Sequence, residues 1–336
     1  MRSSAPTPAP FLGGLLALGL FLTALPAAPV QAEGYQRIGY GRLVTNDLIG
    51  DGRDRWQTGS YASSYVFGRN AWLEGLPQRF GEVFELRLDA GLSAPEDLRT
   101  PDAGDRPLTG LLRVGLATQF EMSGWESDLG AHVSFVGPET GLVDLQTGLH
   151  DLLPGAPSPS RSVRDNQRDL DPRIGASAEV SRSFALGEAT LRPFIAGEAG
   201  LETFARAGVD LSIGSFARGG LQTRDRVSGH RYRVVDGYGD GMTFVLGGDV
   251  TFVEDSRLLS EDDGVTAEAR RNRLRAGLHW QRDGRHLFYG ATWLSPETEE
   301  QDHGQTVGSI RIDWRFRHII RHLSDCLEVG KVLRKN

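Results

Sequence analysis

A single cysteine, Cys326, stands in this chain of 336 residues. That excludes a disulfide framework and any cysteine-based metal site, and it suits an oxidising, exported compartment. Long apolar runs are missing too. Beyond residue 32 no segment approaches the ~20 consecutive apolar residues that a membrane-spanning helix needs. Positive charge is not in excess: the formal net charge is −7, which argues against a nucleic-acid partner. Nothing in the chain resembles the Gly-x-Ser-x-Gly elbow of serine esterases.

What is present begins with an export signal. Arg2 precedes an apolar run from Phe11 to Leu25, then Pro26 and the small-residue stretch Val30-Gln31-Ala32. This pattern predicts a signal peptide over 1–32, cleaved after Ala32. The rest divides into a body over 33–316 and a terminal segment over 317–336. Forty-three glycines favour turn-rich β structure over helix, where glycine is costly. A mean hydropathy of −0.31 fits either a soluble exported protein or a barrel whose polar lumen dilutes an apolar exterior.

Periodicity decides between them. From Thr306 to Phe316, Ile310, Ile312, Trp314 and Phe316 fall on one face, and Ser309, Arg311, Asp313 and Arg315 on the other. That is the period of a strand with one apolar and one wet side. Twelve such segments are predicted, near 35–46, 58–68, 79–90, 108–121, 123–136, 172–185, 188–200, 201–213, 241–254, 266–281, 283–296 and 305–316. Their polar faces carry full charges, as in Arg273 and Arg275 opposite Leu274 and Ala276. Charges suit a wet lumen, and with the export signal, the even strand count and aromatics near strand ends they predict an all-β fold: a twelve-stranded antiparallel transmembrane β-barrel. Short turns at Met122 and Gly187 alternate with long connections at 47–57, 91–107 and 137–171, which places the long ones outside the cell. The charged stretch 214–240 breaks this parity: either two strands beside it are misplaced or one inner turn is long. Beyond Phe316, Ile319, Ile320, Leu323 and Leu327 recur at helical spacing.

Chemistry-bearing residues gather in the long connections. The first opens with Thr45-Asn46-Asp47 and closes with Arg53-Asp54-Arg55-Trp56-Gln57-Thr58-Gly59. The third contains Phe135-Val136-Gly137-Pro138, then Gln146 and His150. Four residues apart, Gln146 and His150 would share one face if this stretch of an extracellular loop is helical. Histidine there suits a general base, because its ordinary pKa lies near neutrality. Asn-Asp and Thr-Gly pairs are also ordinary turn chemistry.

Taken together these blocks resemble the outer-membrane lipid A 3-O-deacylase family. The matching pieces are Asn46-Asp47, Asp54-Arg55-Trp56-Gln57-Thr58, Asp105-Arg106-Pro107 and the Val136-Gly137-Pro138 … Gln146 … His150 block, in order over most of residues 36 to about 210. The resemblance implies an outer-membrane esterase that hydrolyses the 3′-acyloxyacyl ester of lipid A in lipopolysaccharide, with calcium as cofactor. Its active site would lie between the barrel wall and a loop helix on the extracellular side. His150 would activate water, Asn46 and Asp47 would organise the site, Asp47 would serve as a metal ligand, and Thr58 would supply a supporting hydroxyl. A monomer in contact with outer-membrane lipid is expected.

Two departures stand out. The family's Tyr-Thr-x-Gly reads Gln57-Thr58-Gly59-Ser60, and a lysine expected in the second long loop is absent, with Arg99 or another basic residue as its candidate replacement. Two other functions fit the same architecture. An outer-membrane phospholipase would need a serine nucleophile beside a rim histidine. A small porin or structural barrel would use Arg87, Arg113, Arg273 and Arg275 to line a conducting lumen.

Overall fold

The computed structural model describes residues 34–69, 75–102, 104–152, 158–215, 219–235, 237, 240–260 and 264–314. The predicted signal peptide, Arg315, Phe316 and the tail 317–336 lie outside the described residues. The wall is built from β1 (Gln36–Asn46), β2 (Trp56–Gly68), β3 (Val83–Ala94), β4 (Thr109–Met122), β5 (Trp125–Val136), β6 (Leu170–Ser181), β7 (Phe184–Leu186), β8 (Ala189–Ala199) and β9 (Glu202–Ile213). After the short strands β10 (Gln222–Arg224) and β11 (Arg231–Arg233), the wall resumes with β12 (Gly241–Ser256), β13 (Arg270–Arg282), β14 (Arg285–Leu294) and β15 (Gln305–Trp314). Every pairing is antiparallel, and β7 extends the line of β6 along β8. The result is a closed twelve-stranded barrel sealed by β1 against β15, where Val44, Thr45 and Asn46 face Ile310, Ser309 and Gly308. No helix among the described residues is long and apolar enough to cross a membrane; the strands are the spanning elements.

The alternation works as expected. Leu116, Ile195, Phe252 and Leu274 stand exposed on the outer wall. Their neighbours Arg273 and Arg275 turn inward onto Asp249, at 2.9 and 2.5 Å. An apolar band outside charged lumen residues is the arrangement a bilayer selects. The largest boundary shift is in β3. Its register carries Ala94 up beside Trp56, four residues past the predicted end.

Residues 214–240 resolve the broken parity. The neighbouring strands stand where periodicity put them, and one inner connection is long. It turns back into the barrel, where β10 and β11 pair as a hairpin. Leu221, Tyr232, Val234 and Val235 pack against Leu43, Ala62, Val66 and Phe288 of the wall. Arg224 bridges Glu179 and Asp210, each at 2.8 Å. Gly39 and Gly41 make this possible: a Cβ at either would lie 2.1 or 2.2 Å from the carbonyl oxygens of Val234 and Arg233. Arginine-lined walls therefore hold a plug rather than an open channel. Purified protein in planar bilayers is expected to show little conductance, and deleting 221–235 should raise it. Large steady conductance of the intact protein would count against the plug.

Candidate active site

The site assembles at the rim that carries the only α-helices among the described residues, α1 (Leu142–Leu152) and α2 (Arg161–Asp165). β1 delivers Asn46 and Asp47 to its edge. The Asn46 amide donates to the Thr58 carbonyl at 2.8 Å, and its side-chain oxygen accepts from Leu48 N–H at 2.9 Å. Asn46 is thus committed to shaping the turn. Asp47 N–H reaches the same Thr58 carbonyl at 3.2 Å. The Asp47 carboxyl, 1% exposed, accepts from Arg55 N–H at 3.0 Å. Gly50 and Gly52 N–H donate to its carbonyl at 2.8 and 2.9 Å. One residue therefore braces the whole 47–55 loop. That loop leans outward onto β14 and β15, where Tyr289 donates to the Ile49 carbonyl at 2.9 Å.

Thr58 owes its place to an irregularity. β2 opens with Trp56 in the left-handed region, φ 52°, and its register with β3 slips between Gln57 and Gly59. A bulge of this kind re-aims a side chain and recurs beside active sites. The Thr58 hydroxyl, buried beneath the loop, faces Asp54 and favours its ionised form. Among the described residues it nonetheless makes no hydrogen bond of good geometry.

α1 confirms the expected loop helix and supplies the opposite wall. Val143, Gln146 and His150 recur at i, i+3 and i+7 on one face. Val143 anchors that face by packing with Ala94, Leu98, Leu108 and Val163. Val163 is held by α2, whose N-cap Ser160 accepts from Val163 N–H at 3.3 Å. Farther along α1, Gln146 reaches one Asp54 oxygen at 3.5 Å and His150 Nε2 the other at 3.5 Å. Both residues meet on Asp54.

The electrostatics follow from burial. Asp47 is pushed up to about 9 by desolvation and then by the neighbouring Asp54 charge, opposed by N–H donors. Asp54 is also raised by burial, while His150 and Thr58 pull it down. Two buried carboxyls, Asp54 raising the proton affinity of Asp47, favour a bound cation. Nearby oxygens are of the kind calcium prefers: the Asp47 and Asp54 carboxyls, the Thr58 hydroxyl and Gln146 Oε1, which has no hydrogen-bond partner among the described residues. Among the described residues no three His, Cys, Asp or Glu side chains form a metal-ligating group. Calcium here would need hydroxyl, amide or main-chain oxygens beside the carboxyls, and this donor set fits that demand.

A model of the family described as outer membrane protein LpxR matches residues 16–316. The chain belongs to the LpxR family of outer membrane proteins. LpxR from Salmonella typhimurium has the same fold, with a TM-score of 0.62 at 15% identity over 82% of this chain and 100% of that one. The NanC porin follows more distantly, with a TM-score of 0.39 at 7% identity over 83% and 100%. No curated protein matches the chain. Within this LpxR-family barrel, His150, Asp47 and Thr58 converge, and Asp54 is what joins them. Asp54 lay inside the quoted Asp54-Arg55-Trp56-Gln57-Thr58 block without an assigned role; only the fold shows that α1 closes on it. Arg99 is exposed, its main chain tied to Asp97 and Ser160. Two guanidiniums are buried here: Arg55, which stacks on Trp56 at 3.9 Å and pairs with Glu96 at 2.6 Å, and Arg106 of the second long connection, which pairs with Glu297.

Proposed function

We propose that this LpxR-family barrel is a lipid A 3-O-deacylase, an outer-membrane esterase that releases the 3′-acyloxyacyl chain with His150 as general base. The observation that carries the reading is the convergence of Gln146 and His150 on Asp54 beside Asp47 and Thr58. In this reading His150 takes the proton of a water as its oxygen attacks the ester carbonyl, and returns it to the sugar oxygen that leaves. Asp54 holds the ring by Nε2 and offsets the positive charge it acquires. Contacts of 3.5 Å are loose for such roles, and catalytic contacts of this length tighten when substrate docks. Asn46 and Asp47 position the 47–55 loop, and Thr58 supports Asp54.

Calcium, held by Asp47 with the surrounding oxygens, would supply positive charge where the oxyanion develops. The helix-bearing rim would face outward, where lipid A of lipopolysaccharide is reached from the outer leaflet, and one barrel suffices for the site. The alternatives draw less support. A serine-dependent phospholipase would have its rim histidine activate a serine, whereas His150 here meets a carboxylate, Asp54, and a porin needs the lumen that the hairpin fills. Mass spectrometry of lipid A after expression in a host with hexa-acylated lipid A is the test. Loss of the 3′-acyloxyacyl group is expected, with strong reduction when a calcium chelator is present. Intact lipid A under both conditions, or released phospholipid fatty acids instead, would overturn the assignment.

A further inference from the structure

Inside the lumen, between the hairpin tip and the helix-bearing rim, lies a cavity of about 170 Å³. That is roughly ten times the ~10–15 Å³ one water needs. It is separate from the site on α1. Six guanidiniums line it, from Arg106, Arg113, Arg206, Arg226, Arg271 and Arg273, against four carboxyls, from Asp89, Glu202, Asp225 and Glu297. Several of these cations share partners. Glu198 serves Arg113 at 3.2 Å and Arg226 at 2.5 Å. Glu297 serves Arg106 and, at 3.8 Å, Arg271, which also has Glu202 at 2.9 Å. Asp249 serves Arg206 at 3.5 Å and Arg273 at 2.9 Å, and Arg275 as well. Glu198 and Asp249 do not line the cavity, so the side chains that face it are positive in excess, with these two carboxyls behind them. Asp225 is further engaged, accepting from Ser228 N–H and Oγ–H at 2.7 and 2.5 Å.

The donors are also under-used. Arg106 Nε, Arg113 Nη1 and both Nε and Nη2 of Arg271 are buried with no hydrogen-bond partner among the described residues. Unmatched N–H groups on buried cations are costly, and folded proteins satisfy them with water or an ion. Arg226 keeps 32% of its side chain exposed, so it faces open space rather than packed protein. Arginine cannot relieve the charge by losing a proton. Planar guanidinium forks approaching from several strands suit an anion with several oxygens better than a spherical halide.

We propose that this cavity is a binding site for a tetrahedral oxyanion, with inorganic phosphate as its simplest ligand. The anion would be held by Arg113, Arg226 and Arg271 after small rotations of their side chains. Isothermal titration of the purified full-length barrel in detergent, with inorganic phosphate at constant ionic strength set by chloride, tests this without any deacylase readout. Saturable heat and a raised unfolding temperature are expected. Arg271→Gln should weaken phosphate binding at least about tenfold, the cost of losing one charge-assisted hydrogen bond. Arg226→Gln, at the partly exposed hairpin tip, gives the same reading if Arg271→Gln does not fold by heat-modifiable mobility. No saturable heat, equal stabilisation by chloride, or unchanged affinity in the folded variants would each overturn the proposal.

Discussion

Replacing His150 with alanine is expected to lower lipid A deacylation by roughly 10²–10⁴-fold, the range that one positioned general base contributes. The barrel should still insert. His150 sits on the second half of α1, past Val143, whose burial among Ala94, Leu98, Leu108 and Val163 holds the helix on the wall. Truncating a half-buried ring there opens no core cavity, and none of the strand pairings runs through α1. Lipid A mass spectrometry reads the activity, and heat-modifiable gel mobility of the same membranes reads folding. A folded His150→Ala barrel that processes lipid A at the wild-type rate would remove His150 from the mechanism. A folded barrel with lost processing would separate the chemistry from the fold.

The barrel was legible because its signal is repeated along the chain. Most wall strands alternate polar or charged with apolar side chains, and the structure puts Arg273, Arg275 and Arg311 inside while Leu274 faces out. The loop helix was legible through the family resemblance, and four-residue spacing then places Gln146 and His150 on one face. The hairpin was not. Its strands are three residues long, and Gln222–Arg224 and Arg231–Arg233 read as a charged turn. What orders them is pairing with Glu179 and Asp210, on distant wall strands, and packing on Gly39 and Gly41. Long-range partners of that kind leave no local periodicity. Thr58 is a middle case: its type and position were readable, but the bulge that re-aims it depends on the register between β2 and β3.

The missing lysine has a related explanation in the loops. Arg99 follows Asp97, whose carboxyl accepts from the main chain of Arg99 and Thr100 at 2.7 and 3.1 Å. This tight turn leaves Arg99 exposed. Arg55 instead occupies the buried rim, sandwiched between Trp56, Glu96 and His303, the last at 2.9 Å. An arginine held this way supplies fixed positive charge without proton exchange. The sequence resemblance pointed to the second loop for a cation; the fold buries one there, Arg106 on Glu297, and another, Arg55, in the first.

Asp54→Asn is expected to lower deacylation by about 10²-fold, mostly through kcat, because it keeps the shape of the loop while removing a charge that forms no part of the substrate. The amide oxygen introduced there could still accept from Gln146, so α1 should remain seated. A neutral amide could no longer offset the charge His150 gains in the transition state. If Asp54 acts through His150, the two changes are coupled. The His150→Ala, Asp54→Asn double variant should then be scarcely slower than His150→Ala alone. If Asp54 instead acts only as a calcium ligand, its loss should be partly rescued by raised calcium, and the effects of the two changes should multiply. The cycle therefore distinguishes a carboxylate that orients the base from one that only holds the ion. Its decisive measurement is initial rate on purified lipopolysaccharide across a calcium titration for all four proteins. Multiplicative losses with calcium rescue would reassign Asp54 to the ion; coupled losses without rescue would leave it behind His150.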